Sequence, residues 1–287
     1  MAADKVFHPR SEGIPSEGVN DQYADGVAAR VWKKFIGDLN QRTQNYKDFL
    51  IGLLKQHGCK KVLDIACGTG VDSMMLVDEG FEVVSVDASD KMLKYALKAR
   101  WEKRKNPKYD NWIIEEANWE TLPRDVGSFL PGVLFDAVIC LGNSFAHLLD
   151  EHGDQRVQRH CLSNFEQCLK PGGLLFIDHR NYDHMIATGS TPSKSIYYNY
   201  PVNFKTSVLV VSGKPEMVTL DYCIDGDEHN EKSEFRLCYY PHSLKKLTSM
   251  LDDAFGNRSK HHIYGDFKPL SEVSEPAFYI HVLEKAK

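Results

Sequence analysis

This sequence predicts an α/β fold with a doubly wound, mostly parallel sheet, a small antiparallel β insertion and an N-terminal arm. Three observations lead there. From residue 61 to 178, short apolar runs alternate with helical stretches, the pattern of a parallel sheet covered on both faces. The first apolar run ends in an acidic residue and a small-residue turn, Val62-Leu63-Asp64-Ile65-Ala66-Cys67-Gly68-Thr69-Gly70. In open parallel sheets that turn lies at the carboxyl edge, where ligands bind. After residue 195 the texture changes to short β-branched and aromatic runs separated by turn residues.

The elements follow in order. Residues 1–20 hold Gly13, Pro15 and Gly18 in a polar setting and read as an irregular arm. Helices are expected over 21–40 and 43–57. A strand at 61–65, a helix at 72–79, a strand at 82–87 and a helix at 90–105 come next. Strands at 112–116 and 135–141, a helix at 155–169 and a strand at 174–178 continue the alternation. Runs at 207–211, 217–222 and 235–240 form the antiparallel insertion. A helix near 241–255 and a last strand at 278–283 complete the core. The expected division is an arm (1–20), a ligand-binding core (21–180), an insertion covering the site (181–240) and a closing segment (241–287).

Bulk properties narrow the function. A chain of 287 residues, 42% of them hydrophobic, can bury a large core. Its formal charge of -5 gives no electrostatic reason to expect nucleic acid or an anionic membrane as a partner. Met1-Ala2-Ala3-Asp4-Lys5 opens no apolar run and no stretch reaches membrane-spanning length, so a cytoplasmic protein is expected. Seven scattered cysteines with no CxxC pair suggest free thiols, with neither a disulfide framework nor a zinc site. The basic run Lys98-Ala99-Arg100-Trp101-Glu102-Lys103-Arg104-Lys105 reads as the solvated face of a helix.

The glycine-rich turn carries the first chemistry. Glycine lets backbone approach a ligand closely. Asp87 ends the next strand, Val83-Val84-Ser85-Val86-Asp87, where a carboxylate can accept hydrogen bonds from both hydroxyls of a ribose. The turn alone admits a dinucleotide or S-adenosylmethionine, or simply a tight turn with a solvated Asp. For a dinucleotide, the third glycine of the fingerprint falls on Ser73, and Asp72 at a helix start repels a pyrophosphate. S-adenosylmethionine has no phosphate. Its sulfonium and amino group tolerate carboxylates such as Asp64, so the discriminator points away from a dehydrogenase.

Later segments add to this. Asn118-Trp119 suits hydrogen bonding and stacking on adenine. Phe135-Asp136-Ala137-Val138-Ile139-Cys140 reads as the fourth strand, and Leu169-Lys170-Pro171-Gly172-Gly173-Leu174-Leu175 as a helix end, a turn and the fifth strand. In order and spacing, residues 60–180 resemble the class I, Rossmann-like S-adenosylmethionine-dependent methyltransferases. The resemblance narrows on Asp21-Gln22-Tyr23-Ala24-Asp25-Gly26, Ala29-Arg30-Val31-Trp32, Leu141-Gly142-Asn143-Ser144-Phe145-Ala146-His147-Leu148, Ile177-Asp178-His179-Arg180-Asn181-Tyr182-Asp183 and Tyr239-Tyr240-Pro241-His242. These stretches are similar to the glycine N-methyltransferase family across nearly the whole chain.

That resemblance implies methyl transfer from S-adenosylmethionine to glycine, giving sarcosine and S-adenosylhomocysteine, with no metal. It implies a cytosolic homotetramer inhibited by 5-methyltetrahydrofolate, and an N-terminal arm that reaches a neighbouring subunit. Positions matching the methyl-donor site are Tyr23, Trp32, Arg42, Ala66, Asp87, Ala88, Asn118, Trp119, Leu141, Gly142, Ser144 and His147. Positions matching the glycine site are Asn143, Arg180, Tyr198, Tyr222 and Tyr239, and Glu17 matches an entrance residue from the adjacent subunit. The chain departs from the family pattern at Phe35 and Phe7, each a tyrosine in the family member compared. It departs also in much of the arm and in a shorter, more acidic loop at 225–232.

Physical chemistry gives part of this independently. Methyl transfer from a sulfonium to an amine is an in-line displacement that needs near-attack geometry, not a nucleophilic side chain. Arg180 stands just past the fifth strand, where its guanidinium can take a carboxylate through two parallel hydrogen bonds. A surface salt bridge with Asp178 or Asp183 is the alternative. Tyr198, Tyr222 and Tyr239 read equally as ordinary strand residues, Trp32 and Cys67 as packing, and His147 and His179 as structural histidines. Another small amine acceptor (sarcosine, guanidinoacetate) and a folate- or S-adenosylmethionine-binding protein with weak catalysis stay open as alternatives.

Overall fold

The computed structural model describes residues 22–36, 42–192, 195–199, 203–224 and 233–287. The expected arm with Phe7 and Glu17, the Phe35 ring and the loop at 225–232 lie outside the described residues. Helices α1 (Val27–Ile36) and α2 (Gln44–Gln56) precede β1 (Lys61–Asp64), α3 (Val71–Asp78), β2 (Glu82–Asp87), α4 (Asp90–Glu102) and β3 (Ile113–Glu116). Then come α5 (Leu122–Phe129), β4 (Phe135–Cys140), α6 (Arg156–Gln167), β5 (Leu169–Arg180) and α7 (Tyr182–Thr188). Strands β6 (Asn203–Val211), β7 (Lys214–Ile224) and β8 (Ser233–Tyr239) lead to α8 (Leu244–Phe255), β9 (Lys260–Gly265), β10 (Lys268–Pro269) and β11 (Phe278–Glu284).

One sheet has the order β10-β9-β11-β5-β4-β1-β2-β3. Strands β1 to β5 pair in parallel, and β11 runs antiparallel between β5 and β9. The chain reverses its direction of travel across the sheet at the β1–β4 pair, which opens a crevice at the carboxyl ends of those strands. Along β1, Val62 enters the core on one face with Leu54, Leu93 and Trp112, and Leu63 enters the other with Phe135, Phe165 and Leu251. Burial on both faces is why these strands read as near-continuous apolar runs. Strands β6-β7-β8 form a separate antiparallel sheet, so the expected fold class holds. No helix among the described residues is long and apolar enough to cross a membrane.

Among the differences from the sequence reading, two boundaries and two missed elements have local reasons. The first helix starts at Val27, because the Asp25 carboxylate takes the Val27 N–H at 2.8 Å; Gln22–Gly26 are left as a turn. Helix α5 was hidden by Pro123 and Gly127. Its own Asp125 ties it to the preceding turn, accepting from Asn118 N (3.1 Å) and Thr121 Oγ1 (2.7 Å). Strand β5 begins at Leu169, before the Lys170-Pro171-Gly172-Gly173 stretch. A Cβ at Gly173 would stand 2.9 Å from the Lys170 carbonyl oxygen, so only glycine lets the chain pass there. Strand β9, Lys260-His261-His262-Ile263-Tyr264-Gly265, is too polar to announce itself, and pairing with β11 brings it into the sheet.

Candidate active site

The glycine-rich turn joins β1 to α3. Gly68 and Gly70 have φ of 53° and 82°. A Cβ on Gly70 would lie 2.9 Å from the Trp112 ring and 3.1 Å from Ala96 Cβ, so packing and backbone both require glycine. Beneath the turn runs a buried chain of hydrogen bonds. Trp112 Nε1–H donates to Ser85 Oγ (2.7 Å), Ser85 to Ser73 Oγ (2.7 Å), and Ser73 to Asp64 Oδ2 (2.6 Å). An indole N–H can only donate, so the direction of the chain is fixed toward Asp64. Burial nevertheless pushes the Asp64 carboxyl up to about 7, with the Ser73 hydrogen bond working against the rise.

At the carboxyl edge lies a cavity of about 550 Å³. Tyr23, Ala66, Asp87, Ala88, Asn118, Trp119, Ser144 and His147 line it, all of them expected from the sequence. Asp87 is anchored by its own neighbours, accepting Gly68 N–H at 2.8 Å and Ser89 N–H at 2.9 Å. Asn118 Oδ1 caps the next turn by accepting Glu120 N–H at 3.0 Å. The Trp119 N–H donates to the Ile65 carbonyl at 2.7 Å. Its ring packs on Phe145 and Phe165 and contributes apolar wall. Ser144 Oγ donates to the Leu141 carbonyl at 2.8 Å.

Sequence reasoning missed Gln22, Ile65, Met92 and Val157 in that wall. Gln22 is the most informative. Its Oε1 accepts Cys238 N–H (2.7 Å) and its Nε2 donates to Cys238 O (2.9 Å), zipping the turn before α1 onto β8. With the amide orientation so fixed, Nε2 also donates to His147 Nδ1 at 3.2 Å. His147 then carries its proton on Nε2 and gives it to the Tyr23 hydroxyl at 3.3 Å. Burial lowers this imidazole to about 4, so it is neutral at physiological pH. Gln22 stands beside Tyr23 in the quoted motif, but nothing in the sequence marks a glutamine as a strand partner.

Arg180, the last residue of β5, is buried, with its guanidinium 4.7 Å from the centre of the Phe278 ring. Burial opposes its charge, and the surrounding phenols Tyr222, Tyr198, Tyr239 and Tyr182 favour it. Arg180 and Asp178 are both buried, which is not the surface salt bridge of the alternative reading; Asp178 accepts from Asn143 N and the Tyr197 hydroxyl (2.8 Å each), and Asp183 from Leu244 N (3.0 Å). Burial pushes the Asp178 carboxyl up to about 7. Tyr222 and Tyr239 share a hydrogen bond between hydroxyls at 2.9 Å. Tyr239 packs 4.6 Å from His147, so the arginine cluster adjoins the cavity. Trp32 stands edge-on to Tyr222 at 5.3 Å. Arg42 is held by Asp72 at 2.8 Å and pairs with Tyr198 through a backbone bridge. Leu141, Gly142 and Asn143 follow β4, the last two at φ 81° and 66°. Of the predicted site residues, only Glu17 falls outside the described chain.

Comparisons with known proteins agree with this architecture. Residues 62–173 match the family model described as "Methyltransferase domain". A solved S-adenosylmethionine-dependent methyltransferase from Clostridium acetobutylicum ATCC 824 shares the fold (TM-score 0.65, 14% identity), covering 92% of this chain and 99% of that one. The Glycine/sarcosine N-methyltransferase of Halorhodospira halochloris is 35% identical over 92% of this chain and 89% of its own. The Glycine N-methyltransferase of Mus musculus is 56% identical, covering 98% of this chain and 99% of the mouse protein. With more than half its residues shared over nearly the full length of both, the chain belongs to the glycine N-methyltransferase family.

Proposed function

We propose that the protein transfers the methyl group of S-adenosylmethionine to the amine of glycine, giving sarcosine and S-adenosylhomocysteine. The observation that carries this reading is the buried Arg180 guanidinium, set among four tyrosines beside a cavity of about 550 Å³. That volume lies within the usual range for small-molecule and cofactor sites. The naming of the mouse relative supports glycine as the acceptor.

Asp87 takes the ribose hydroxyls of the donor, while Asn118, Ala88, Ala66 and the Trp119 ring enclose its adenine. Tyr23, Trp32, Arg42, Leu141, Gly142, Ser144 and His147 complete the donor side. Arg180 takes the carboxylate of glycine, and Asn143, Tyr198, Tyr222 and Tyr239 surround its amine, with Glu17 at the entrance. Glycine must react as the neutral amine, since an ammonium has no lone pair. An enclosed site walled by apolar and phenolic groups favours that form. In the displacement the carbon–sulfur bond breaks as the carbon–nitrogen bond forms. Sulfur keeps the electron pair, and the proton lost from nitrogen passes to water. Purified protein should form S-adenosylhomocysteine in the presence of glycine. Stoichiometric donor binding with no product after a single turnover at excess enzyme would leave a binding protein instead. Because a relative is named for both glycine and sarcosine, the two acceptors, and guanidinoacetate, should be compared side by side.

A pH effect follows from Asp64. Its carboxyl is held up to about 7 by burial, and the sulfonium and ammonium of a bound donor favour the charged form. Binding should therefore lower the Asp64 pKa and release protons, so donor affinity rises as pH increases through about 7 and then levels off. Calorimetry in buffers of different ionisation enthalpy reads this directly. Heats independent of the buffer near neutral pH would remove Asp64 from the donor site.

The assembly is a homotetramer of the cytosol acting in one-carbon metabolism. Support for association comes from Leu209, Val210 and Val211, three consecutive apolar residues about half exposed at the end of β6. Inhibition by 5-methyltetrahydrofolate is the part most exposed to the Phe7 and arm differences, and titration of the folate against turnover tests it.

A further inference from the structure

Residues 195–199 run between the Arg42–Thr43 segment and the carboxyl end of β5. On one side, Thr43 N–H donates to Tyr197 O (3.0 Å), the Thr43 hydroxyl donates to Ile196 O (2.6 Å), and Arg42 bridges Tyr198. On the other, the Tyr197 hydroxyl donates to Asp178 Oδ2 at 2.8 Å. Asp178 Oδ1 accepts Asn143 N–H at 2.8 Å, and Asn143 Oδ1 accepts Arg180 N–H at 3.0 Å. Asn143 holds a left-handed backbone at φ 66°, a conformation non-glycine residues keep only when their surroundings impose it. Asp178 takes the N–H of this residue and so helps to impose it. Four members are buried: Asp178 at 0% exposure, Asn143 at 2%, Tyr197 at 4% and Arg180 at 7%. A broken link inside such a network leaves a polar group without water to replace its partner.

We propose that Tyr197 and Asp178 are positioning residues, closing a hydrogen-bonded circuit that ties the Arg42–Thr43 segment to Asn143 and Arg180 and so sets where glycine is held. The proposal rests on the reading of Arg180 as the carboxylate clamp. Neither Tyr197 nor Asp178 needs to touch a substrate. Asp178 supplies two acceptors at a fixed spacing, one for a backbone N–H and one for a phenol. Tyr197 supplies the only side-chain oxygen of residues 195–199 that reaches Asp178 among the described contacts.

The cleanest test is Tyr197→Phe. It deletes one hydroxyl and keeps a ring that packs edge-on against Tyr46, Phe267 and Phe278 at 4.8, 5.2 and 5.6 Å. Hydrogen bonds to charged groups correspond to roughly ten- to hundredfold in a constant that depends on them. The glycine KM should rise roughly tenfold or more, with a smaller fall in kcat. Donor affinity, measured by calorimetry without glycine, should change much less than the glycine KM, because the lost hydroxyl bonds to Asp178 and not to a residue of the donor cavity wall. Asp178→Asn keeps the spacing, with its carbonyl accepting from Asn143 and its amide donating to the Tyr197 oxygen. It should retain most of the glycine affinity that Asp178→Ala loses.

Three results overturn the proposal: an unchanged glycine KM in Tyr197→Phe, a donor affinity that falls in step with the glycine KM, or an Asp178→Asn protein as impaired as Asp178→Ala. The last would assign the effect to charge instead of geometry. If Tyr197→Phe fails to fold by circular dichroism, the Asp178→Asn and Asp178→Ala pair decides alone. Arg180→Lys, assayed in parallel, separates the two levels. Loss of glycine turnover there with a silent Tyr197→Phe removes the circuit and keeps the clamp. Wild-type turnover in Arg180→Lys removes the clamp and the circuit with it.

Discussion

Arg180→Lys is expected to abolish most glycine methylation while leaving donor binding nearly intact. Glycine offers a carboxylate, a small amine and nothing else, so a site that selects it must grip the carboxylate. Arg180 is fixed at the end of β5 by its N–H bond to Asn143 Oδ1 and by its guanidinium against the Phe278 ring. Lysine keeps the charge but loses the planar fork that pairs with both carboxylate oxygens. Removing one partner of a buried charge pair costs about 2–5 kcal/mol, or tens to thousands in affinity. Both the glycine KM and kcat should suffer, because a loosely held glycine leaves the in-line geometry. Calorimetry with S-adenosylmethionine alone should show much smaller change, since the donor cavity is lined by other residues. Near wild-type kcat/KM in the lysine variant would mean that Arg180 is not the clamp.

The sequence exposed Arg180 because position alone is informative at the end of a parallel strand. The same holds for Asp87 and for the glycine-rich turn, since β1 and β2 are mostly apolar and buried and each ends abruptly in an aspartate. Tyr222 and Tyr239 were different. An aromatic in an antiparallel strand is unremarkable by itself, and their meeting depends on the β7–β8 register, in which Tyr222 pairs with Phe235 and Val218 with Tyr239. Only family resemblance singled them out. Gln22 escaped altogether, because its partners are the backbone of Cys238 and the ring of His147, 216 and 125 residues away. Asp178 and Tyr197 escaped for a related reason. In the sequence Asp178 stood only as one of two salt-bridge partners in the alternative reading of Arg180, and only the fold reveals a carboxylate turned toward a backbone N–H and a phenol. Contacts made within one strand–turn–helix unit are legible in sequence, whereas polar circuits closed by tertiary register are not.

Asp87→Ala is expected to weaken donor binding by about 1.5–3 kcal/mol, the usual worth of hydrogen bonds to a charged group. From sequence alone this is a pure binding variant that leaves the fold untouched. The structure changes that expectation. The carboxylate already accepts Gly68 N–H through Oδ2 and Ser89 N–H through Oδ1, which pins the glycine-rich turn to the end of β2. A carboxylate has about four lone-pair directions, so two can serve the turn while two serve the ribose hydroxyls. Alanine removes all four. The turn between β1 and α3 loses its tie to β2 as the donor loses its ribose contact, and thermal stability should fall along with affinity. Asp87→Asn separates the two jobs. Its remaining oxygen can still accept from Gly68 or Ser89, but its amide donates where acceptors are needed. The order of donor affinity should be wild type, then Asn, then Ala, with thermal stability in the same order. The glycine KM measured at saturating donor should move little, because Asp87 and Arg180 stand at the ends of different strands, β2 and β5. A Kd for S-adenosylmethionine unchanged in both variants, with native circular dichroism, would take the ribose away from Asp87 and leave it a purely structural clasp on the turn.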